Sequence, residues 1–250
     1  MKNSEIQRLD EHLAELRLLF LQENHQPLAD EAARGQWTHG HYLAKLIEGE
    51  HQRRQDRSIA RRVAAARFPV LKTLDQFDWN WPRKINRPQV QHLFSLSFLK
   101  DHSSVVLVGG VGLGKSHLAI ALGHAACLQG HSVLFTTAVE AINTLAAAQA
   151  QHRLKVELKK YLAPRILVCD ELGYLPIDKA GADLLFQIIS GRYEKGSTII
   201  TTNRIYKHWS QIFNNDSTIT SAVLDRLLHH AQTIILEGKS YRMKDKIDEP

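Results

Sequence analysis

Hydrophobic residues recur with one spacing in the first part of the chain and with another after Ser103. Near the amino terminus they stand three and four residues apart, the spacing of an amphipathic helix, at Ile6, Leu9, Leu13, Leu16 and Phe20. After Ser103, short apolar runs alternate with segments long enough to form helices. Such alternation is typical of a parallel sheet covered by helices on both faces. The pattern therefore predicts a helical region followed by an α/β domain.

Five apolar runs rich in β-branched residues predict the strands. They are VVLVG at 105–109, SVLFTT at 132–137, RILVCD at 165–170, STIITTN at 197–203 and TIILEG at 233–238. Because segments of helical length separate them, we expect the five strands to lie parallel in one sheet.

Turn-forming residues set the boundaries of the helical region. Pro27 and Gly35 are predicted to interrupt it, and Thr38 is predicted to cap a long helix that ends before Phe68. The segment 71–88 holds two tryptophans and two prolines without a sustained period, which indicates a linker packed on the next domain. We therefore predict a helical domain at 1–68, a linker at 69–88 and an α/β domain at 89–250.

A glycine-rich segment directly after the first predicted strand fits the phosphate-binding pattern G-x-x-x-x-G-K-[ST]. Its backbone N–H groups, together with the amino end of the following helix, can surround phosphate oxygens. We expect Lys115 to reach the β- and γ-phosphates of ATP and the Ser116 hydroxyl to ligate Mg²⁺. The predicted nucleotide-binding residues are Gly109, Gly110, Val111, Gly112, Leu113, Gly114, Lys115, Ser116 and His117.

Two carboxylates follow the third predicted strand. Asp170 stands where ligands of open α/β sheets bind, and it can hold Mg²⁺ together with Ser116. Glu171, directly after it, is suited to a general base that orients the attacking water. A simple kinase needs no such residue, because a hydroxyl of its substrate is the nucleophile. The pair therefore favours ATP hydrolysis.

Polar residues beyond the carboxylates complete the predicted site. Asn203 closes the fourth predicted strand, where it is either a turn former or a sensor of the γ-phosphate. Arg226, in a predicted helix, is either part of an ion pair or an arginine finger for a neighbouring subunit. His229 and His230 follow it. Adjacent helical residues point about 100° apart, so we expect these two to be poor joint metal ligands at a helix end.

Positive charge is concentrated at one place in the chain. The formal net charge is +6, and the segment 51–67 holds a single acid, Asp56, among arginines. Arg53, Arg57 and Arg61 share a helix face, and Arg54 and Arg62 flank it. Because arginine pairs bidentately with phosphate, these five residues are predicted to bind duplex DNA or another polyanion. An acidic protein surface is the alternative partner.

Two further features concern the compartment. Cys127 and Cys169 lie in apolar surroundings and form no C-x-x-C pair, so we expect neither a disulfide nor a zinc site. No apolar run reaches eighteen residues, so we expect no membrane segment. A cytoplasmic protein is the simplest prediction.

With these residues in view, the chain resembles the IstB-like transposition helper ATPases of insertion sequences, which are AAA+ proteins related to the helicase loaders DnaC and DnaI. The resemblance covers nearly the whole chain. It is carried by GGVGLGKSHLAIALGHAAC, LVCDELGYLPID, STIITTN and AVLDRLLHHAQTIILEGKSYR. GYLPID, LDRLLHHA and GKSYR are more specific to this family than the two phosphate-site motifs.

The resemblance implies an AAA+ P-loop NTPase fold with a parallel five-stranded sheet in the order 5-1-4-3-2 and a small helical amino-terminal domain. It also implies ATP and Mg²⁺ as cofactors, ATP-dependent self-assembly on duplex DNA, and a partner transposase encoded alongside. By the same resemblance Lys115 and Ser116 take the Walker A roles, Asp170 and Glu171 the Walker B roles, Asn203 that of sensor 1, and Arg226 that of the arginine finger.

Three features are expected around this frame. The segment 139–163 is long enough for two helices. By the resemblance, one of them would be the extra helix through which initiator-type AAA+ proteins form open spirals. Only twelve residues follow Gly238, too few for the usual helical lid, although Arg242 could replace its sensor arginine. The residues from Phe77 to Trp81 lie in a linker that often lines the base pocket.

We therefore predict an ATPase that assembles on target duplex DNA and assists a transposase. A replicative helicase loader is the nearest alternative, because it shares the ATPase domain. A P-loop kinase for a small molecule and an ATP-binding switch with little turnover remain as further alternatives.

Overall fold

A computed structural model of the chain describes residues 2–241. They divide into two compact units, one ending at Arg61 and the other beginning at Arg62. The first unit is helical and the second is α/β. Within residues 2–241, every helix is too short or too polar to span a lipid bilayer.

Three helices form the amino-terminal part: Lys2–Glu15 (α1), Leu19–Arg34 (α2) and His39–Ala66 (α3). Leu13, Leu21 and Leu46, one from each helix, form a small buried cluster. The Thr38 hydroxyl accepts a hydrogen bond from the His41 N–H at 3.2 Å, so the predicted cap of the long helix is confirmed.

The apolar stripe of residues 6–20 does not form one helix, so that prediction was wrong. The helix α1 ends at Glu15, and Arg17 takes a left-handed φ of +55°. The Arg17 and Leu18 N–H groups donate to the carbonyls of Ala14 and Leu13, which closes the helix in a Schellman motif. A glycine usually occupies the left-handed position, and with arginine there the sequence carried no visible stop signal.

Pro27 was predicted to interrupt the helical region, but it lies inside α2, so that prediction was wrong. Leu21 and Leu28, seven residues apart on this helix, both pack on the buried cluster of the first unit. The free energy gained by burying this apolar face exceeds the free energy lost because proline cannot donate a backbone hydrogen bond.

The second unit is built on a five-stranded parallel sheet. Its strands are Ser104–Gly109 (β1), Val133–Thr137 (β2), Ile166–Leu172 (β3), Ser197–Thr202 (β4) and Ala231–Leu236 (β5). Their spatial order, β2-β3-β4-β1-β5, is the predicted order 5-1-4-3-2 viewed from the other side. The accompanying helices are Arg87–Leu93 (α4), Lys115–Leu128 (α5), Ala138–Ala150 (α6), Leu154–Leu162 (α7), Lys179–Arg192 (α8) and Ser217–Leu228 (α9). The two helices expected within 139–163 are therefore present as α6 and α7.

Both faces of this sheet are buried, which explains why its strands are apolar without interruption. Val105 and Leu107 of β1 point into a core shared with α5, and Val106 and Val108 point into a second core shared with α6 and α8. Successive residues of a strand point to opposite faces, so each strand contributes to both cores.

The cysteines are separated in the same way: Cys127 lies in the first core and Cys169 in the second. Both are free and buried. Burial raises the pKa of the Cys127 thiol to about 11 and that of Cys169 to about 12, which disfavours the thiolate.

The parallel strands give the sheet two unlike edges. At the carboxyl edge β1, β3 and β4 end together, and Thr202 pairs with Val108 on one side and Leu172 on the other. At the amino edge Ser104 pairs with Ala231 at the start of β5. Motifs that follow strands therefore meet at the carboxyl edge, and residues that precede strands meet at the amino edge.

Candidate nucleotide site

The glycine-rich loop joins β1 to α5 at the carboxyl edge. Gly112 and Gly114 have left-handed φ values of +74° and +89°. A Cβ at Gly114 would lie 2.6 Å from Cε2 of the Phe77 ring, so both conformation and space require glycine there. The loop curls ahead of the first turn of α5, where the backbone N–H groups of a helix have no acceptor within the helix itself. This concave backbone is suited to phosphate.

Lys115 lies in this loop, with only 3% of its surface exposed. Its Nζ donates to the Gly110 carbonyl at 2.6 Å and stands 5.7 Å from the ring centroid of Tyr174. A buried ammonium group is costly unless anions or dipoles surround it. The lysine is thus held where phosphate oxygens would enter the loop.

The two residues predicted to hold Mg²⁺ are in contact with each other. The Ser116 hydroxyl donates to Oδ1 of Asp170 at 2.9 Å, and the Asp170 carboxylate is 5% exposed. The Thr201 hydroxyl, from β4, donates to the same carboxylate oxygen. Asp170 is therefore oriented by hydroxyl groups from two other segments.

Thr201 is a site residue that the sequence reasoning missed. Besides its bond to Asp170, its Oγ1 accepts the N–H of Glu171 at 2.9 Å. The available signal was strand periodicity: Thr201 and Asn203 are two residues apart and so lie on the same face of the chain as it leaves β4.

Glu171 stands next to Asp170 but points elsewhere. The pairing of β3 with β4 shifts between Cys169 and Leu172, and Glu171 takes a left-handed φ of +61°. A bulge of this kind re-aims a side chain, and here it leaves Asp170 buried while Glu171 is exposed and lines the cavity beside the loop. A left-handed residue other than glycine carries strain, which is common at functional sites.

Asn203 follows β4 at the carboxyl edge, next to the strands that carry the phosphate loop and the two acids. Its Oδ1 is buried, and no donor among the described residues reaches it. Buried acceptors are rarely left without a donor, so this oxygen is suited to a bound ligand or water.

The cavity beside the loop has a volume of about 470 Å³. One wall carries Phe77 and Trp81 from the linker and Tyr241 from the end of the described chain. The Tyr241 N–H donates to the Gly112 carbonyl at 2.9 Å, and its ring packs edge-on against Trp81 with centroids 5.4 Å apart. The sequence indicated the linker aromatics, and it marked the segments GYLPID and GKSYR that contain Tyr174 and Tyr241, but it did not place these two tyrosines at the cavity.

His117 attaches the linker to the loop. Its Nε2 lies 2.8 Å from the Thr73 carbonyl, and its ring packs against Phe77. Burial lowers the pKa of His117 more than the hydrogen bond to Thr73 raises it, and the nearby charge of Lys72 also lowers it. The ring is therefore a neutral donor to the carbonyl, which fixes its tautomer.

The donor set fits a magnesium nucleotide. Mg²⁺ prefers hard oxygen ligands, and the Ser116 hydroxyl and Asp170 carboxylate place two such oxygens 2.9 Å apart at the phosphate loop.

Arg226 does not belong to this cluster. It lies near the end of α9, which leads into the amino edge, and it lines a small depression there with Ser104 and Thr198. Its Nη1 donates to the Ala222 carbonyl at 3.0 Å, and its guanidinium stacks on the Phe186 ring at 4.9 Å. The structure therefore separates Arg226 from Lys115 by the length of the sheet.

His229 caps α9 with helical dihedral angles, φ −51° and ψ −40°, and its N–H donates to the Asp225 carbonyl at 3.1 Å, as expected for a residue at the helix end. His230 follows it, directly before β5 begins. The expectation that their side chains point apart was wrong. Their ring nitrogens and a carboxylate oxygen of Glu194 lie within 4.8 Å of one another.

The five predicted DNA-binding arginines differ in their surroundings. Arg53 pairs with Glu23 and Arg54 with Glu50, at 2.5 and 2.9 Å. Arg62 donates to the Cys127 carbonyl at 2.9 Å. The remaining two, Arg57 and Arg61, are exposed. Arg242, considered above as a second sensor, lies outside the described residues.

Comparisons with known proteins agree with this geometry. A family model described as IstB-like ATP binding protein matches residues 11–249. A Pseudomonas aeruginosa protein named as an ATP-binding protein of insertion sequence IS21 is 38% identical over 234 residues, 94% of this chain and 88% of its own. A Bacillus thuringiensis subsp. berliner protein named likewise for insertion sequence IS232 is 38% identical over 245 residues, covering 98% of this chain and 97% of its own.

Solved structures show the same fold. The DnaC helicase loader superposes with a TM-score of 0.55 at 21% identity, covering 66% of this chain and 96% of that one. DnaI superposes with a TM-score of 0.53 at 17% identity, covering 71% and 92%. The second unit thus has the AAA+ P-loop architecture, and the sequence match extends over almost the entire chain. The chain belongs to the IstB-like ATP-binding protein family.

Proposed function

We propose that this protein hydrolyses ATP to ADP and phosphate, and that it uses this cycle to assist DNA transposition. The observation that carries the hydrolysis is the hydrogen-bonded group of Ser116, Asp170 and Thr201 with Glu171 directed into the neighbouring cavity. A site that only binds nucleotide has no need of a second, strained carboxylate beside the first.

The roles follow from position. The loop N–H groups and Lys115 bind the phosphates, and Ser116 and Asp170 hold Mg²⁺, which would neutralise charge on the β- and γ-phosphates. Glu171 orients a water and accepts its proton as that water attacks the γ-phosphorus. Asn203 accepts a hydrogen bond from this water through its buried Oδ1, or donates to the γ-phosphate from its amide Nδ2.

The aromatic wall is proposed to hold the base. Phe77, Trp81 and Tyr241 offer apolar surface beside the loop, while Asp78 and Gln76 add polar groups to the same cavity. Ligand pockets commonly combine an apolar lining with a few polar groups that fix orientation. An adenine between these rings would leave its triphosphate directed to Lys115.

Arg226 supports a role for assembly. It cannot reach the nucleotide of its own chain, because it lies at the amino edge of the sheet. Its guanidinium can approach a nucleotide only if a second copy of the chain places its cavity against this edge. We propose that copies associate in this manner when ATP is bound and that Arg226 completes the neighbouring site.

The role in transposition rests on the relatives and on charge. The relatives are named for insertion sequences, elements that move by transposase action. Arg57 and Arg61 are exposed, four residues apart on α3, and so present two guanidinium groups on one helix face. We propose that the protein assembles on target duplex DNA and activates a transposase encoded beside it.

The test compares duplex and single-stranded DNA of equal length, with and without a non-hydrolysable ATP analogue. We expect the analogue to tighten duplex binding at least tenfold, because closing the subunit contacts multiplies the phosphate contacts. ATP hydrolysis should rise when duplex DNA is added, and strand transfer by the adjacent transposase should rise in parallel. Lys115→Ala is the control in each assay.

Other outcomes separate the alternatives. Preference for single strands, together with a stable complex with a replicative helicase, would identify a loader. Assembly with ATP but no phosphate release, with or without DNA, would identify a binding switch. Transfer of phosphate to a small molecule would identify a kinase.

A further inference from the structure

Three side chains at the amino edge are left unexplained by the nucleotide site. Glu194 lies in the turn between α8 and β4, and His229 and His230 lie in the turn between α9 and β5. One potential ligand atom from each lies within 4.8 Å of the other two. Within residues 2–241 they are the one group of three or more histidine, cysteine or acidic side chains gathered in this way.

From this arrangement we propose that Glu194, His229 and His230 form a binding site for a divalent transition-metal ion, with Zn²⁺ as the first candidate. Two imidazoles and a carboxylate are a common zinc donor set, and a fourth position would remain for water or an outside ligand. Imidazole donors favour zinc, copper and nickel over Mg²⁺, so this site would be distinct in chemistry from the one at Ser116.

The turn that carries Glu194 is held in place. Arg192, which is 2% exposed, donates to the Ser197 carbonyl at 2.7 Å and to the Pro164 carbonyl at 2.9 Å. The N–H groups of Lys195 and Gly196 return to the Arg192 carbonyl, each at 3.0 Å. The turn is therefore tied to β4 on both sides of Glu194. A ligand on such a turn loses little conformational entropy when it binds an ion.

The histidines are also oriented. The Tyr193 hydroxyl lies 2.9 Å from Nδ1 of His229. With a metal on Nε2, Nδ1 would keep its proton and donate it to this hydroxyl oxygen. Metal-binding histidines commonly use their second nitrogen for a hydrogen bond of this kind. The ring centroids of His229 and His230 are 4.1 Å apart with the ring planes at 60°, so the two rings are in contact edge to face.

The surrounding charge is mixed. Arg226 and Arg192 line the same depression and oppose a cation, although the hydrogen bonds of Arg192 go to backbone carbonyls inside the fold. The carboxylates of Glu194 and Asp225 lie near Tyr193 and favour a cation. The coordinate bonds to the three side chains would supply most of the affinity.

The experiment titrates Co²⁺ into the full chain, stripped beforehand of metal with a chelator, and then displaces it with Zn²⁺. We expect one ion per chain and visible d–d bands without a strong near-ultraviolet thiolate band, since the donors are nitrogen and oxygen. Replacing both histidines, His229→Ala with His230→Ala, should weaken binding at least 100-fold, and Glu194→Gln should weaken it roughly tenfold.

Two further variants test whether the metal binds at these three side chains and not at other histidines. Tyr193→Phe should weaken the metal about tenfold without unfolding the protein, because it removes only the orienting hydroxyl. Replacing two exposed histidines elsewhere, His51→Ala with His208→Ala, should leave the titration unchanged. Far-ultraviolet circular dichroism and ATP affinity verify that each variant is folded.

The proposal is independent of ATP hydrolysis, because the titration needs neither nucleotide nor DNA. Equal affinity in wild type and the double histidine variant would overturn it. So would a thiolate band, or the absence of saturable binding below about 1 mM, which corresponds to a binding free energy of only about −4 kcal/mol.

Discussion

Functional polar residues at the two edges of the sheet differ in their exposure to solvent. At the carboxyl edge Lys115, Asp170 and Thr201 are at most 5% exposed, and they are hydrogen-bonded within the chain. At the amino edge Glu194 is exposed and Arg226 half-exposed, and the guanidinium of Arg226 makes its hydrogen bond to a carbonyl of its own helix. The first edge buries its polar groups within one chain, whereas the second, besides the buried Arg192, also presents exposed groups that an outside partner or ligand could use.

The reason lies in the parallel sheet. Loops that leave parallel strands meet at the carboxyl edge, where the amino ends of the following helices add positive potential. The amino edge has no such convergence, and carboxyl ends of helices approach it. A nucleotide site therefore forms readily at one edge, while the other remains available for contacts between subunits. The following predictions test this division, from the largest expected effect to the smallest.

The largest effect on ATP hydrolysis is expected from Arg226, where the amino edge of one chain would meet the carboxyl edge of a second copy. Arg226→Ala should bind ATP within a few-fold of wild type but hydrolyse it about 10³-fold more slowly, because it removes charge stabilisation from a neighbour's site. Mixing it with Lys115→Ala should restore part of the activity, since one variant supplies an intact loop and the other the arginine. Phosphate release at varied mixing ratios is the measurement.

The matched control is Arg87→Ala, which removes another arginine stacked on an aromatic ring at 4.9 Å. It should leave hydrolysis near wild type. Failure of the mixture to recover at any ratio, with co-assembly demonstrated, would contradict a role between subunits.

Within the carboxyl edge, binding and chemistry should separate. Glu171→Gln should retain ATP affinity while kcat falls by about 10²–10³, because the side chain acts only on the water. Lys115→Ala should instead lose ATP affinity by about 100-fold, because its charged contact exists in the ground state. Equilibrium binding and steady-state phosphate release distinguish the two. Near-normal turnover in Glu171→Gln would reassign the base.

Thr201 should affect hydrolysis by orienting the Asp170 carboxylate and the Glu171 backbone. Thr201→Val should lower kcat roughly tenfold and the free energy of unfolding by about 1–2 kcal/mol, because the Asp170 carboxylate and the Glu171 N–H each lose a partner. Thr198→Val, on the same strand nearer the amino edge, is the control. It removes a hydroxyl bonded to Arg192 and should cost similar stability without changing kcat. Equal kcat in the two variants would remove Thr201 from the site.

The smallest effect concerns the helical unit. Replacing Arg57 and Arg61 with glutamine should flatten the dependence of log affinity for duplex DNA on log salt by about 1.8, roughly 0.9 for each lost contact. Arg53→Gln should change the slope less, because Glu23 already neutralises that arginine. A slope unaffected by the pair of substitutions would place the DNA contact elsewhere.

Much of the fold could be read from the sequence because it depends on local patterns. All five strands lie within two residues of the predicted runs, since buried parallel strands form short apolar segments bounded by polar ones. The helix break near Arg17 was missed because backbone hydrogen bonding and packing of Leu13 and Leu18 stop the helix there, without a glycine. Pro27 was misjudged for the related reason that buried neighbours outweigh propensity.

The sequence by itself determined the phosphate loop, the acid pair and the family, because each depends on residue types in a contiguous segment. Only the tertiary structure decided which residues meet across segments. It brought Thr201 to Asp170, directed Glu171 into the cavity through a bulge, and placed Tyr241 beside Trp81. It also placed Arg226 at the far edge and His229 beside Glu194. These outcomes depend on strand order and on turns between elements, which no single segment encodes.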